Sequence, residues 1–278
     1  MSEIFDFDAY SPKQIASRVE TIGVAKARLP LLSMLMLSML AGAFIGLGAL
    51  YFVLVKSDPS LGFAARQVLG GVVFSLGLIL VVVAGAELFT GNNLLAMAWA
   101  EGRISTREVL RNWVIVCVGN FIGAAGLALL VYLSRHPEMN NGAIAKEYVA
   151  IAAAKVSMPF WTALYKAMLC NVLVCMAVWM SLAGRSVIDK VAAIIFPISA
   201  FVAAGFEHSV ANMFLIPLAM LLQTLDGVGA GVGAGTIAIT WTGFFGNLVP
   251  VILGNILGGS VLVGLVYHVI YLRAPGKK

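Results

Sequence analysis

Gly205-Phe206-Glu207-His208-Ser209-Val210-Ala211-Asn212 breaks an otherwise apolar run with an acid, an imidazole and an amide. An earlier stretch, Gly85-Ala86-Glu87-Leu88-Phe89-Thr90-Gly91-Asn92, breaks another run in the same way. Both carry Gly-x-Glu, and both place an Asn five residues after the Glu. Downstream of each lies a second match. Asn112, Val114, Val116, Gly119, Asn120 and Gly123 recur at the same six offsets as Asn247, Val249, Val251, Gly254, Asn255 and Gly258. Two matches in the same order, each built on polar residues that are rare in apolar segments, define an internal repeat.

Composition says what solvent surrounds it. Of the 278 residues, 61% are hydrophobic and 11% charged, against ~25% charged for a soluble domain. Lipid must therefore face most of the surface. Met1 to Asp8 is acidic and the stretch to Arg28 is mixed-charge, so no cleavable signal is expected. A helix needs ~20 mostly apolar residues to cross a bilayer. Spans are expected over 29–55, 67–86, 112–134 and 159–182, the last broken only by Lys166. A fifth runs over 191–225 with its break at Glu207-His208, and a sixth falls within 241–272. Gly227 to Gly235 reads as a flexible connector. No strand precedes these glycines, so they do not read as a phosphate cradle.

Six spans in two matching sets of three force the second set to enter the membrane from the opposite face. The expected fold is an all-α membrane protein, a 3+3 inverted repeat with spans two and five broken. Such repeats place a pathway at their interface near the midplane. Three regions follow: 1–28, an N-terminal segment with an amphipathic helix capped by Ser11 and started by Pro12; 29–272, the transmembrane domain; and 273–278, a tail.

Basic residues orient the chain. Lys13, Arg18, Lys26, Arg28, Arg103, Arg107, Arg111, Arg185, Lys190, Arg273, Lys277 and Lys278 fall on one side. Lys56, Arg66, Arg135, Lys146 and Lys155 fall on the other. The richer side is cytoplasmic by the positive-inside rule, so both termini are expected there. The net charge of +5 is spread over short loops, which argues against a nucleic-acid partner.

Polar groups at membrane depth are tolerated where broken backbone is buried or lines a cavity. Freed N–H groups at the starts of half-helices favour an anion there. Glu87, Glu207, Asn92 and Asn212 occupy equivalent places, so they read as loop-holding groups. Asn120 and Asn255 read as helix bridges, and Gly42, Gly46, Gly119, Gly123, Gly254 and Gly258 as close-packing faces. His208 differs, because its counterpart is the apolar Leu88; an asymmetric imidazole at the midplane reads as a donor or proton source. His136 reads as a solvated loop residue and His268 as interfacial. Cys117, Cys170 and Cys175 read as small buried hydrophobes, and no metal or cofactor is expected. A haem enzyme would want paired deep histidines, and the Asn-Pro-Ala pair of water and glycerol pores is absent.

Three stretches resemble signatures of the formate/nitrite transporter family. Ala84-Gly85-Ala86-Glu87-Leu88-Phe89-Thr90-Gly91 is similar to the first, and Ala167 to Ala177 to the second, departing at Met176. Gly205 to Met213 is similar to the family's span-five break. The likeness runs from about Ser11 to Arg273. It implies a homopentamer in the inner membrane, with an aquaporin-like protomer and one pore in each protomer. It further implies that Thr90 faces His208 and that Asn171 lies on the pore wall. Phe74, Leu78 and Phe201 would form one constriction, with Leu88 and Val174 near another beside Phe89. Lys155 would draw anions into a vestibule at the outer end of span four.

The implied substrate is a small monovalent anion. An apolar constriction strips hydration from a bare anion. Formate, with a pKa of roughly 4 like an Asp side chain, escapes that cost as the neutral acid. The stretch from Val178 to Lys190 and the ending Tyr271-Leu272-Arg273 look like the formate branch. Lys166 and Gly91 look like nitrite channels, and hydrosulfide is a further alternative.

Overall fold

The computed structural model describes residues 9–224 and 238–273; the glycine-rich connector over 227–235 lies outside the described residues. The chain is helical almost throughout, and each helix starts and stops where its sequence requires.

α1 (Pro12–Ala27) opens on a capping box in which Ser11 and Gln14 satisfy each other's backbone N–H groups. Its buried Ile15, Val19, Gly23 and Ala27 recur every fourth residue, one stripe on a 3.6-residue helix. That stripe packs on protein: Ile15 and Val19 cluster with Leu94, Met97 and Trp179.

α2 (Leu31–Lys56) and α3 (Phe63–Gly85) follow, both long and apolar enough to cross a bilayer. α3 ends in a π-helical turn over Leu80–Gly85, and Gly85 stops it at φ 85°. Only a residue without Cβ adopts that geometry readily. A short helix, α4 (Leu95–Ala100), resumes beyond the break. α5 (Thr106–Leu133) begins six residues before Asn112, because Ser105 and Glu108 form a second capping box.

The second half repeats this plan. α6 (Ala143–Val156) is a half-length helix between the third and fourth expected spans. α7 (Phe160–Ser181) spans, and α8 (Val187–Ala203) runs to the break, where Gly205 takes φ 67°. α9 (Ser209–Leu222) resumes, and α10 (Trp241–Tyr271) is the last long span. Among the described residues five helices are long and apolar enough to cross; α8 and α9 together make the interrupted fifth pass.

Each half is drawn together internally through glycine. A methyl group on Gly123 would collide with the carbonyl oxygen of Met39, and one on Gly258 with that of Met168. In each half the corresponding pair of helices, α2 with α5 and α7 with α10, thus touches backbone to backbone, as small residues in lipid permit. Leu32, Val114, Leu130, Phe196 and Ile270 point outward. They suit lipid or another copy of the chain, not water.

Candidate functional site

Two cavities enter the protomer from opposite ends of α2. Phe52 and Lys56 border one, and Leu37 the other; the twenty residues from Leu37 to Lys56 span ~29 Å of helix. The α6-side cavity holds about 230 Å³ and is bordered by Phe74, Phe201, Lys155, Lys166, Glu207 and His208. The α1-side cavity holds about 610 Å³ and is bordered by Lys26, Leu78, Glu87, Leu88, Asn92 and Val178.

His208 and Thr90 meet between them. Nε2 of His208 lies 3.1 Å from Oγ1 of Thr90, and both side chains are buried. His208 is also the N-cap of α9: its Nδ1 accepts the backbone N–H of Ala211 at 3.1 Å. A backbone N–H can only donate, so Nδ1 bears a lone pair. The neutral ring then carries its proton on Nε2, aimed at Thr90. Phe201 stacks on the imidazole at 5.8 Å between centroids, and Phe74 meets Phe201 edge-on at 5.6 Å. The gap is thus one hydrogen-bond donor on an otherwise aromatic wall.

Each break is held by the same polar cluster. Lys26 Nζ donates to Glu87 Oε1 at 2.8 Å, and Asn92 donates to Glu87 Oε2 at 2.7 Å and to Asn112 at 3.0 Å. In the other half Lys155 Nζ donates to Glu207 Oε1 at 2.8 Å, and Asn212 donates to Glu207 Oε2 and to Asn247, each at 2.7 Å. Asn112 closes its ring on the carbonyl of Lys26, and Asn247 closes on that of Lys155.

Asn120 and Asn255 fasten the loops themselves. Asn120 donates to the carbonyls of Ser38 and Glu87 and accepts from the Phe89 N–H. Asn255 donates to those of Ala167 and Glu207 and accepts from Ser209. These partners correspond pairwise, so the repeat extends to the hydrogen bonds that hold the breaks; the exception among the described residues is Lys26, which also donates to Asn92 Oδ1 at 3.0 Å while Asn212 Oδ1 has no such donor.

Several side chains sit elsewhere than the sequence suggests. Leu78 borders the α1-side cavity with Leu88, not the α6-side cavity with Phe74 and Phe201. Val174 and Phe89 are buried and border neither. Asn171 is fully buried as well; its amide donates to the Thr90 carbonyl at 3.2 Å and to Asn93 Oδ1 at 2.7 Å, behind the loop. Lys155 belongs to the last turn of α6, before the α7 span, and its ammonium is committed to Glu207. His268 is buried, with Nδ1 3.7 Å from Glu101 Oε2. Cys170 and Cys175 are fully buried and Cys117 partly so.

Lys26, Asn112 and Asn247 are cluster members that the sequence alone does not mark as such. One signal could have found the lysines. Lys26 precedes Pro30 by four residues, and Lys155 precedes Pro159 by four, so the repeat extends to α1 and α6.

An inverted repeat of broken helices, with one bridged polar gap between two opposed cavities, defines a membrane channel or transporter rather than an enzyme. A family profile described as formate/nitrite transporter matches residues 13–269. The formate channel FocA of Escherichia coli (strain K12) is 39% identical over 274 residues, covering 96% of each chain. An uncharacterized transporter, YrhG of Bacillus subtilis (strain 168), is 42% identical over 266 residues, 94% of this chain and 93% of its own. A solved pentameric formate channel with formate bound superposes at a TM-score of 0.81 with 38% identity, over 87% of this chain and 98% of the other. The chain belongs to the formate/nitrite transporter family.

Proposed function

We propose that this protein is a homopentameric inner-membrane channel for small monovalent anions, with formate the foremost substrate and both termini in the cytoplasm. The observation that carries the reading is the His208–Thr90 contact at 3.1 Å between two cavities. Likeness to a formate-bound pentamer supports substrate and assembly, and the excess of basic residues on the α1 side supports the orientation.

The chemistry follows from the fixed tautomer. An anion reaching the gap replaces the Thr90 hydroxyl as acceptor of the Nε2 proton. That bond is charge-assisted and stronger than the neutral one it replaces. Phe74 and Phe201 on one side, and Leu78 and Leu88 on the other, keep bulk water away, so larger hydrated ions gain nothing by entering. Giving up the Nε2 proton while Nδ1 is unprotonated would leave an imidazolate. His208 therefore acts as a hydrogen-bond donor, and a proton that travels with formate comes from water in a vestibule. Glu87, Glu207, Asn92 and Asn212 hold the two breaks, and Asn171 anchors the Thr90 loop from behind. Lys155 attracts anions with only part of its charge, since Glu207 shares it.

Nitrite is the second reading, favoured by Lys166 on the α6-side cavity. Stopped-flow uptake into proteoliposomes ranks the anions. Formate faster than nitrite and chloride is expected. Nitrite ahead of formate would reassign the substrate within the family.

A further inference from the structure

The two vestibules match in their ion pairs but not in their charge. In the α1-side cavity the charged residues among the described ones are Lys26 and Glu87, paired at 2.8 Å, so that vestibule is neutral. The α6-side cavity holds the matching pair, Lys155 with Glu207 at 2.8 Å, and two further lysines.

Lys56 ends α2, and its ammonium donates to the neutral Gln67 Oε1 at 2.7 Å. Glu147, Arg66 and Lys155 also act on it electrostatically, one acid against two bases. Lys166 lies on α7, half-buried at the cavity wall, with no hydrogen bond or ion pair from its ammonium among the described residues. Lys56, Lys155, Lys166 and Arg66 thus stand against Glu207 and Glu147, an excess of two positive charges.

The repeat shows that Lys166 is not required by the architecture. Glu207 N–H donates to the Lys166 carbonyl just as Glu87 N–H donates to that of Leu37. The two positions are structural equivalents, and the α1 side fills its own with leucine. A cation at a cavity wall that neither fold nor partner demands is available to a ligand.

Given the anion-channel reading, on which this inference rests, we propose that Lys166 and Lys56 form an anion-collecting subsite in the α6-side vestibule. It lies ahead of His208 and is separate from the paired Lys155. Low-dielectric walls focus the field of unmatched charge, which raises the local concentration of the opposite sign. The occupant is a small monovalent anion, formate or nitrite, held between two ammonium groups before it reaches the gap.

Sidedness follows. A passive pore has one permeability at low concentration in both directions, so asymmetry is read in half-saturating concentrations rather than in initial slopes. The α6 side should saturate at the lower concentration.

The test uses right-side-out and inside-out vesicles of cells expressing the full chain, with formate uptake measured across a concentration series. The expected half-saturating formate is lower from the α6 face by about threefold or more. Lys166→Leu, the residue at the equivalent position, should raise that value towards the α1-face value, and Lys166→Arg should retain it. Raising ionic strength with an impermeant salt should narrow the difference, since a vestibule open to water is screened. Equal half-saturation from both faces of the wild type would overturn the proposal. So would a Lys166→Leu variant, pentameric by size exclusion, that keeps the wild-type asymmetry. Absence of formate flux from either face would instead overturn the channel reading, so the two failures are distinguishable.

Discussion

Nε2 of His208 lies 3.1 Å from Oγ1 of Thr90, and the two residues come from opposite breaks of one repeat. The half-helix α9 supplies the imidazole as its own N-cap. The α3–α4 loop supplies the hydroxyl, held from behind by Asn171 and Asn120. Positioning thus comes from rigid, hydrogen-bonded backbone rather than from side-chain freedom.

His208→Asn separates the two jobs of this histidine. Asn is among the strongest N-caps, so α9 should stay capped and the thermal midpoint in detergent should stay near wild type. The donor facing Thr90 is lost. Removing a hydrogen bond to a charged group costs about 1.5–3 kcal/mol, so formate flux should fall roughly tenfold to a hundredfold. The pH profile of the residual flux should keep its wild-type shape, because the proton comes from the vestibule. A flattened profile would mean that the proton had come from His208.

Thr90→Ser keeps the hydroxyl, and Thr90→Val removes it at nearly constant shape. The first should retain most of the flux. Thr90→Val leaves the buried Nε2 proton without its resting partner, a penalty of about 1–3 kcal/mol. An arriving anion no longer has to displace that hydroxyl, so flux should hold or rise while the thermal midpoint in detergent falls, and proteoliposome uptake of the two variants side by side decides the matter.

The buried pair Lys155–Glu207 is a stability device as well as a source of charge. The side chains are 13% and 4% exposed, so Glu207→Gln strands an ammonium where water cannot reach it freely. Breaking such a pair from one side costs about 3–5 kcal/mol, whereas replacing both partners with apolar groups is close to neutral. Thermal melting in detergent should therefore rank Glu207→Gln well below wild type, with the double variant Glu207→Gln, Lys155→Met recovering much of the loss.

Close backbone packing gives a contrast that a generic glycine effect would not. Gly123→Ala and Gly258→Ala each drive a methyl into a carbonyl, of Met39 and Met168 respectively. Overpacking of that kind costs about 1–3 kcal/mol or more. On the same helix as Gly123, Gly126 has nothing within 4 Å of an added Cβ. Gly126→Ala should be tolerated, and the yields and melting midpoints of the three variants test this.

Much of this was legible in the residues. Asn and Glu are so ill-suited to apolar helices that their recurrence at fixed offsets exposed the repeat, the two breaks and the asymmetric His208. What stayed hidden depends on contacts between distant residues. Lys26 reads as a topogenic charge, yet it folds back 61 positions to neutralise Glu87. Asn171 resembles a wall residue, but its amide is consumed by the loop behind the gap. Leu78 lies close to Phe74 in sequence, and the turn between them carries it to the other cavity. α6 is short and ends outside any span, so its hydropathy looks like that of a connection.

The most direct measurement is the ratio of formate to glycerol permeation through the wild-type protein in proteoliposomes, followed by stopped-flow light scattering. An aromatic gap with one hydrogen-bond donor, reached through a positively charged vestibule, should pass formate rapidly and glycerol barely above the protein-free background. Glycerol moving as fast as formate or faster would contradict the account, because the gap would then select for neutral solutes rather than small anions.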